Sequence, residues 1–356
     1  MGLGGLRTLR VMSESDMENI LETTLMYRPT ALVIDSLQTM HLRMDNPAGG
    51  VTQLKECGAA LLRLAKDHGI TVFTIGQVTK SSELAGPRAL EHMVDAVLML
   101  EGDEDQTYRL LRTLKNRHGS VNEVGIFSMD QAGLHAVDNP SAQVLANRSP
   151  GYSTLGITQD GSRTVILEVQ ALVTPQYPGA ASPPLRQATG ASRERLASII
   201  MPVLDKFVTR MSDQNVTVNV TGGLQAREPA TDLALGVAIM SSHQDRAAPR
   251  DMAFIGEVDL GGGLRPVKKG LEQRLMELQR QGIKQVVLPK VSDVDKQRFA
   301  RDAKIANLQL LHCATLEEAL RHSLGRDLDI KPRGRRRSNQ EAVVKRAPAA
   351  SDGQQD

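Results

Sequence analysis

Two short apolar runs on either side of one amphipathic stretch constrain this chain more than any other feature. Residues 30–34 read Thr-Ala-Leu-Val-Ile and lead into Asp35-Ser36; residues 70–75 read Ile-Thr-Val-Phe-Thr-Ile and lead into Gly76-Gln77. Short continuous apolar runs are the pattern of strands buried on both faces. Between them Val51, Leu54, Leu61, Leu62 and Ala65 recur at helical spacing, and Gly69 stands where a helix is expected to stop. Strand, helix and strand at this spacing form a right-handed crossover of a parallel sheet. The fold class expected is therefore α/β.

Further elements follow the same logic. Residues 94–100, 108–114 and 123–129 read as strands, with Gly102-Asp103-Glu104-Asp105 as a hairpin turn between the first two. Asp138-Asn139-Pro140 and Ser149-Pro150-Gly151 punctuate a stretch without periodicity, which sets a linker at 139–152. Beyond it, Asp160-Gly161 signals a hairpin between Ile157 and 165–169. Residues 175–191, rich in Pro, Gly, Ala and Ser, read as a loop. Ser192 opens an amphipathic helix with Leu196, Ile199, Ile200, Val203, Leu204, Phe207 and Val208 on one face. Strands at 216–220, 253–258, 285–288 and 308–311 then alternate with helices from Pro229 and at 270–281, 293–303 and 315–323. That is a second α/β domain, at 153–326.

Composition excludes several functions. Hydrophobic residues are 40% and charged residues 24%, the balance of a soluble globular chain. No run reaches the roughly 18 apolar residues of a membrane helix. Cys57 and Cys313 are the only cysteines, too few for a disulfide framework or a four-cysteine zinc site, so no zinc site and a reducing compartment are expected. Net charge is only +2, but Lys331, Arg333, Arg335, Arg336, Arg337, Lys345 and Arg346 crowd the tail at 327–356, which reads as basic and disordered. Aromatic residues are 3% with no Trp, which argues against recognition of single strands by base stacking.

Asp35 is the most informative single position. A carboxylate at the carboxyl end of a buried parallel strand sits where such sheets bind ligands, and in phosphate-loop ATPases it orients Mg²⁺. Gln77, ending the second strand, would lie close by. The plain structural reading of both is a turn residue. A phosphate-cradling loop needs Gly-x-x-x-x-Gly-Lys-Ser/Thr, and no Gly-Lys dipeptide occurs in the 356 residues. Gly261-Gly262-Gly263 lacks a lysine at that offset and reads as a tight turn. His312-Cys313 has no further ligands at metal spacing and reads as part of a core strand.

Several motifs occur in fixed order: 32–39 (Leu-Val-Ile-Asp-Ser-Leu-Gln-Thr), Val78-Thr79-Lys80, Ala85-Gly86-Pro87-Arg88, 90–95 (Leu-Glu-His-Met-Val-Asp) and Lys115-Asn116-Arg117-His118-Gly119. From about residue 8 to 322 the chain resembles the RadA/Sms family of DNA-repair ATPases. The resemblance implies a RecA-like parallel-sheet ATPase domain, here partial, at 1–138. It implies a Lon-protease-like α/β domain at 153–326. It makes Asp35 the Walker B residue and Mg²⁺ ligand, with Ser36 beside ATP and Gln77 at the place of the family's common His. Lys115 and Arg117 would act at a subunit interface, in ATP hydrolysis and on DNA, with His118 replacing the family's Phe. Lys80 and Arg88 fall in a loop expected to face DNA; Lys268, Lys269 and Arg274 would extend a basic DNA surface on the second domain. Family members carry a four-cysteine zinc finger and the phosphate loop ahead of the stretch matched here, so this chain by itself is expected to hydrolyse no ATP. Implied partners are DNA, single-stranded or branched, a RecA-type recombinase and further copies in a hexameric ring, in a bacterial cytoplasm or in a plastid or mitochondrion.

The second domain of such proteins resembles a peptidase that uses a Ser–Lys dyad. Here the serine position is Ala230 and the lysine position Leu271, with Thr231 only a distant candidate nucleophile. The reading is a DNA-repair factor that processes recombination intermediates by ATP-dependent branch migration. The alternatives are a non-catalytic DNA-binding or ring-assembly module and, less favoured, an active Lon-like peptidase.

Overall fold

The computed structural model describes residues 8–43, 50–77, 90–102, 108–177, 179, 182–267 and 269–330. The chain divides into two compact units: residues 1–146 with 159–166 and 222–224, and residues 147–158, 167–221 and 225–356. The architecture is α/β, as the strand–helix–strand pattern requires.

In the first unit, helix α1 (Met17–Tyr27) opens at Asp16, whose side chain accepts the Glu18 N–H. Strand β1 (Ala31–Asp35) and helix α2 (Val51–His68) follow, and then strand β2 (Thr71–Ile75). Gly69 ends α2 at φ 66°, the left-handed cap glycine adopts without strain. β1 and β2 pair in parallel from Ala31↔Thr71 to Asp35↔Ile75, so the crossover is present. Its helical side builds a core from Met17, Ile20, Ile34, Leu37, Leu54, Cys57, Leu61 and Leu64. The expectation of strands buried on both faces is corrected. Val33, Phe73 and Ile75 are 58%, 52% and 43% exposed, because among the described residues only one face of this two-stranded sheet is covered.

A four-stranded antiparallel meander follows: β3 (Ala96–Glu101), β4 (Tyr108–Asn116), β5 (Val124–Asp130) and β6 (Gly133–Ala136). The expected turn at 102–105 falls mostly on 103–107, outside the described residues. Helix α3 (Pro140–Ala146) occupies the stretch where sequence shows only punctuation; Asn139 Oδ1 accepts the Ala142 N–H at 3.0 Å and starts it.

The second unit is built on a seven-stranded sheet of order β15-β14-β11-β7-β8-β10-β9. Its strands are β7 (Ser153–Asp160), β8 (Arg163–Pro175), β9 (Arg186–Thr189), β10 (Gln214–Val220), β11 (Met252–Phe254), β14 (Gln285–Pro289) and β15 (Gln309–Cys313), with β12 (Glu257–Val258) and β13 (Leu264–Arg265) as a separate small pair. Strand β9, parallel to β10, corrects the loop expected throughout 175–191. Helix α4 (193–208) starts at Ser192 as expected, but it widens into π turns at Leu196–Ile200 and Leu204–Val208. Pro202 between them brings no N–H to an α ladder, which accounts for the irregularity. Helices α5 (Asp232–His243), α6 (Leu271–Arg280), α7 (Asp293–Arg301) and α8 (Leu316–Leu324) complete the unit. α5 is buried nearly all round, from Asp232 to Ser242. Gly261–Gly263 is the turn joining β12 to β13, held by the Asp259 carboxylate, which accepts the Gly261 and Gly263 N–H groups at 2.9 Å. Leu328 is buried, so the described fold runs past α8.

Candidate functional site

The parallel register sets Asp35 and Gln77 at the same end of the β1–β2 pair. The chain leaves β1 through a cis Asp35–Ser36 peptide bond into a single turn, Leu37–Thr39, whose Thr39 N–H and Oγ1 both donate to the Ser36 carbonyl at 3.1 and 2.8 Å. Gln38 Nε2 donates to the Gln77 carbonyl at 3.4 Å and ties the two strand ends together. Its Oε1 is buried without a partner. A buried orphan acceptor is costly unless something fills it, which draws Gln38 into the candidate site beside Asp35, Ser36 and Gln77. Asp35 is exposed, and its carboxylate forms no ion pair among the described residues. Sequence reading missed Gln38's part; the signal available was a polar residue three positions past a strand-end carboxylate.

Lys115 and Arg117 close β4 and are anchored to the turn at 91–95. Lys115 Nζ donates to the Glu91 carbonyl at 2.6 Å. The Arg117 backbone N–H donates to the Asp95 carbonyl at 2.9 Å, and its guanidinium to Asp95 Oδ1 at 2.7 Å. Lys66, in the last turn of α2, donates to Asp95 Oδ2 at 3.0 Å. The Asp95 carboxyl is held below the usual carboxylate range, chiefly by the hydrogen bond from Lys66 and then by the charges of Lys66 and Arg117. The basic pair belongs to a different sheet from Asp35, and no hydrogen bond among the described residues joins the two places. Lys80, Arg88 and Lys268 lie outside the described residues; Lys269 is exposed.

In the second unit, Ala230 and Leu271, the positions expected to match a peptidase dyad, are apolar, and paired polar groups surround Ala230. Ala230 is buried, and Thr231, wholly buried, donates its hydroxyl to the Glu228 carbonyl at 2.7 Å. Asp232 accepts from Arg195 Nε at 2.9 Å and from Nη2 at 2.5 Å, and also accepts the Val258 N–H. Burial pushes the Asp232 carboxyl up, against the pull of Arg195. Glu228 receives both terminal nitrogens of Arg274, at 2.8 and 2.7 Å, while Arg274 Nη1 also donates to the Ile157 carbonyl at 2.7 Å. The expectation of Arg274 on a DNA-facing surface is therefore corrected: it is 1% exposed and braces the core. Thr231, Asp232 and Glu228 each have a hydrogen-bond partner among the described residues, while Arg274 Nε is buried without one.

A family model described as subunit ChlI of Mg-chelatase matches residues 184–292, which include Arg195, Glu228, Asp232 and Arg274. Over 322 residues the chain is 40% identical to the DNA repair protein RadA of Halalkalibacterium halodurans and 41% identical to that of Bacillus subtilis, in each case spanning 89% of this chain and 68% of the relative. It is 41% identical over 316 residues to the RadA of Pseudomonas aeruginosa, spanning 88% of this chain and 67% of the relative. The chain belongs to the RadA family of DNA repair proteins. For this RadA-family chain, the match spans both units, and so takes in the Asp35 strand end, the Lys115–Arg117 turn and the Ala230 surroundings together. No described helix is long and apolar enough to cross a membrane.

Proposed function

We propose that this RadA-family chain binds DNA and, as part of a nucleotide-driven assembly, moves branch points during recombinational repair. The observation that carries this reading is the extended identity to RadA proteins combined with the basic pair Lys115–Arg117, at the end of β4 where an exposed turn begins. On this reading residues 1–138 are the later part of a RecA-like ATPase domain and 153–326 a Lon-protease-like domain without peptidase activity. The occupants of the β1–β2 end are ATP and Mg²⁺. Asp35 would hold the metal, Ser36 would lie beside the ATP, Gln77 would face the terminal phosphate, and Gln38 would keep the two strand ends together. An unpaired strand-end carboxylate and an orphan acceptor at Gln38 suit that occupant. ATP would supply the free energy for moving DNA; the residues of this chain bind and orient it. Lys115 and Arg117 contact the phosphodiester backbone with Lys80, Arg88, Lys268 and Lys269 as further cationic contacts. A ring of six copies, a RecA-type recombinase as partner and a bacterial cytoplasm belong to the same proposal.

The second reading is DNA binding without nucleotide turnover, favoured by the lack of a Gly-Lys dipeptide in these residues. One experiment separates them. Binding of a fluorescent single strand and of a branched duplex is measured against salt, with and without ATP and Mg²⁺, for the full chain, Asp35→Ala and Arg117→Ala. Loss of one phosphate contact in Arg117→Ala should lower the salt slope by roughly 0.7 on a single strand. A nucleotide effect abolished by Asp35→Ala supports the first reading, and salt-dependent binding indifferent to nucleotide supports the second. Absence of DNA binding sinks both.

A further inference from the structure

The turn that anchors Lys115 and Arg117 has a charge arrangement that DNA binding alone does not explain. Three cationic side chains converge on residues 91–95: Lys66 from α2, and Lys115 and Arg117 from the end of β4. They are not equivalent. Lys115 spends its ammonium on a neutral carbonyl and forms no ion pair among the described residues. Lys66 and Arg117 share one carboxylate, one on each oxygen of Asp95. That carboxylate occupies the geometry a phosphodiester would take: two anionic oxygens, each accepting from a different cation at 2.7–3.0 Å.

We propose that Lys66 and Arg117 form a phosphate-binding site of which Asp95 is the built-in mask, displaced by the DNA backbone when it binds. The proposal rests on the reading of Arg117 as a DNA contact. It adds Lys66 as a second contact and gives Asp95 a gating role.

The magnitudes make the exchange feasible. Side chains of Lys66, Asp95 and Arg117 are 57%, 40% and 49% exposed. Ion pairs at that exposure are weak and screened by salt, so a polyanion can outcompete them. Arg117 keeps its place when its guanidinium lets go, because its backbone N–H is still bound to the Asp95 carbonyl. The guanidinium can therefore swing while the turn stays anchored. The mask is electrostatic and does not open with mild acid, since Lys66 holds the Asp95 carboxyl below the usual range.

The test is salt-dependent binding of a fluorescent single strand by the full chain. Asp95→Asn keeps the backbone carbonyl and removes the competing charge. It should tighten binding, on the order of fivefold, and leave the slope of log K against log salt nearly unchanged, because the same two cations meet phosphate once the mask is displaced. Asp67→Asn removes one negative charge from the adjacent exposed position of α2 and should tighten binding much less. Lys66→Ala/Asp95→Ala leaves net charge unchanged, removes one of the two contacts and unmasks the other, so its slope should flatten by about 0.7 and it should bind more tightly than Lys66→Ala; an unchanged slope or equal binding would overturn the proposal. This double variant also decides the matter if Asp95→Asn fails to fold. Equal effects of Asp95→Asn and Asp67→Asn would reduce the effect to net charge and overturn the mask. Weaker binding by Asp95→Asn would mean that Asp95 orients Arg117 rather than hides it, and would overturn it equally. If Arg117→Ala weakens binding while Asp95→Asn leaves it unchanged, the DNA reading stands and the mask falls. If Arg117→Ala binds like the unaltered chain, both fall.

Discussion

Glu228→Gln should be among the most damaging single changes in the second unit, although it alters one atom. The Arg274 guanidinium is sealed, with 2% of its side chain exposed against 28% for Glu228. Both carboxylate oxygens accept from it, and its Nε already lacks a partner. Glutamine preserves the shape but removes the counter-charge and points an amide N–H at an N–H. Breaking a buried pair by removing one partner costs roughly 3–5 kcal/mol, and the partial exposure of Glu228 puts the expectation at about 3 kcal/mol. Arg274→Met is a different loss. It leaves a carboxylate that can reach water, fills the space with an unbranched chain, and takes the Arg274 donor from the Ile157 carbonyl, which costs about 1–3 kcal/mol. The double variant should cost no more than Arg274→Met, because no buried charge remains to be stranded. Native-state hydrogen exchange in the full chain reads this locally, at peptides covering α5 and α6. With ~1.4 kcal/mol per tenfold, Glu228→Gln should speed their exchange by about two orders of magnitude. Strictly additive effects, or exchange within about threefold of the unaltered chain, would refute the argument that Arg274 depends on Glu228.

Three further outcomes follow from named contacts. Hydrogen bonds from Arg246 hold the Asp327 carboxyl down at about 2, so this contact is fully present above the ordinary carboxylate range and is lost as pH falls through about 2; a carboxyl titration followed by NMR with a midpoint near 4 would contradict it. Burial pushes the Cys313 thiol up to about 12, and Cys57 is buried too, so a maleimide at neutral pH should label neither in the folded chain and both in urea; rapid labelling of the native protein would count against the packing around them. Phe73→Glu, on the open face of the β1–β2 pair, should change stability by no more than about 0.5 kcal/mol in denaturant unfolding, and a loss of several times that would mean the face is covered in solution.

The parts legible in the sequence were those set by near neighbours. Apolar runs and a glycine at position 69 were enough for the parallel crossover, because a helix between two strands leaves one topology. Asp160-Gly161 gave its hairpin away, and Ser192 its helix start, through backbone preferences a few residues long. The motifs around Asp35 and Arg117 were visible, but their partners were not. Gln38, Lys66 and Asp95 acquire their parts through contacts made across strand ends and between a helix and a turn.

Arg274 shows most sharply where sequence stops. Beside Lys268 and Lys269 it reads as one more cation at the start of a surface helix. In the fold it sits on the buried face of that helix, 46 positions from the carboxylate that neutralises it. Arg195 and Asp232 meet in the same way across 37 positions. The β1–β2 runs are apolar enough to be buried twice, yet the described packing covers only one of their faces. By itself the sequence determined local conformation, the α/β class and the identities of the charged groups, since these depend on short-range sterics and residue type. Tertiary structure alone decided which charges are buried, which are paired and which are exposed. Solvent exposure and long-range pairing are set by what else packs nearby, and no local pattern carries that information.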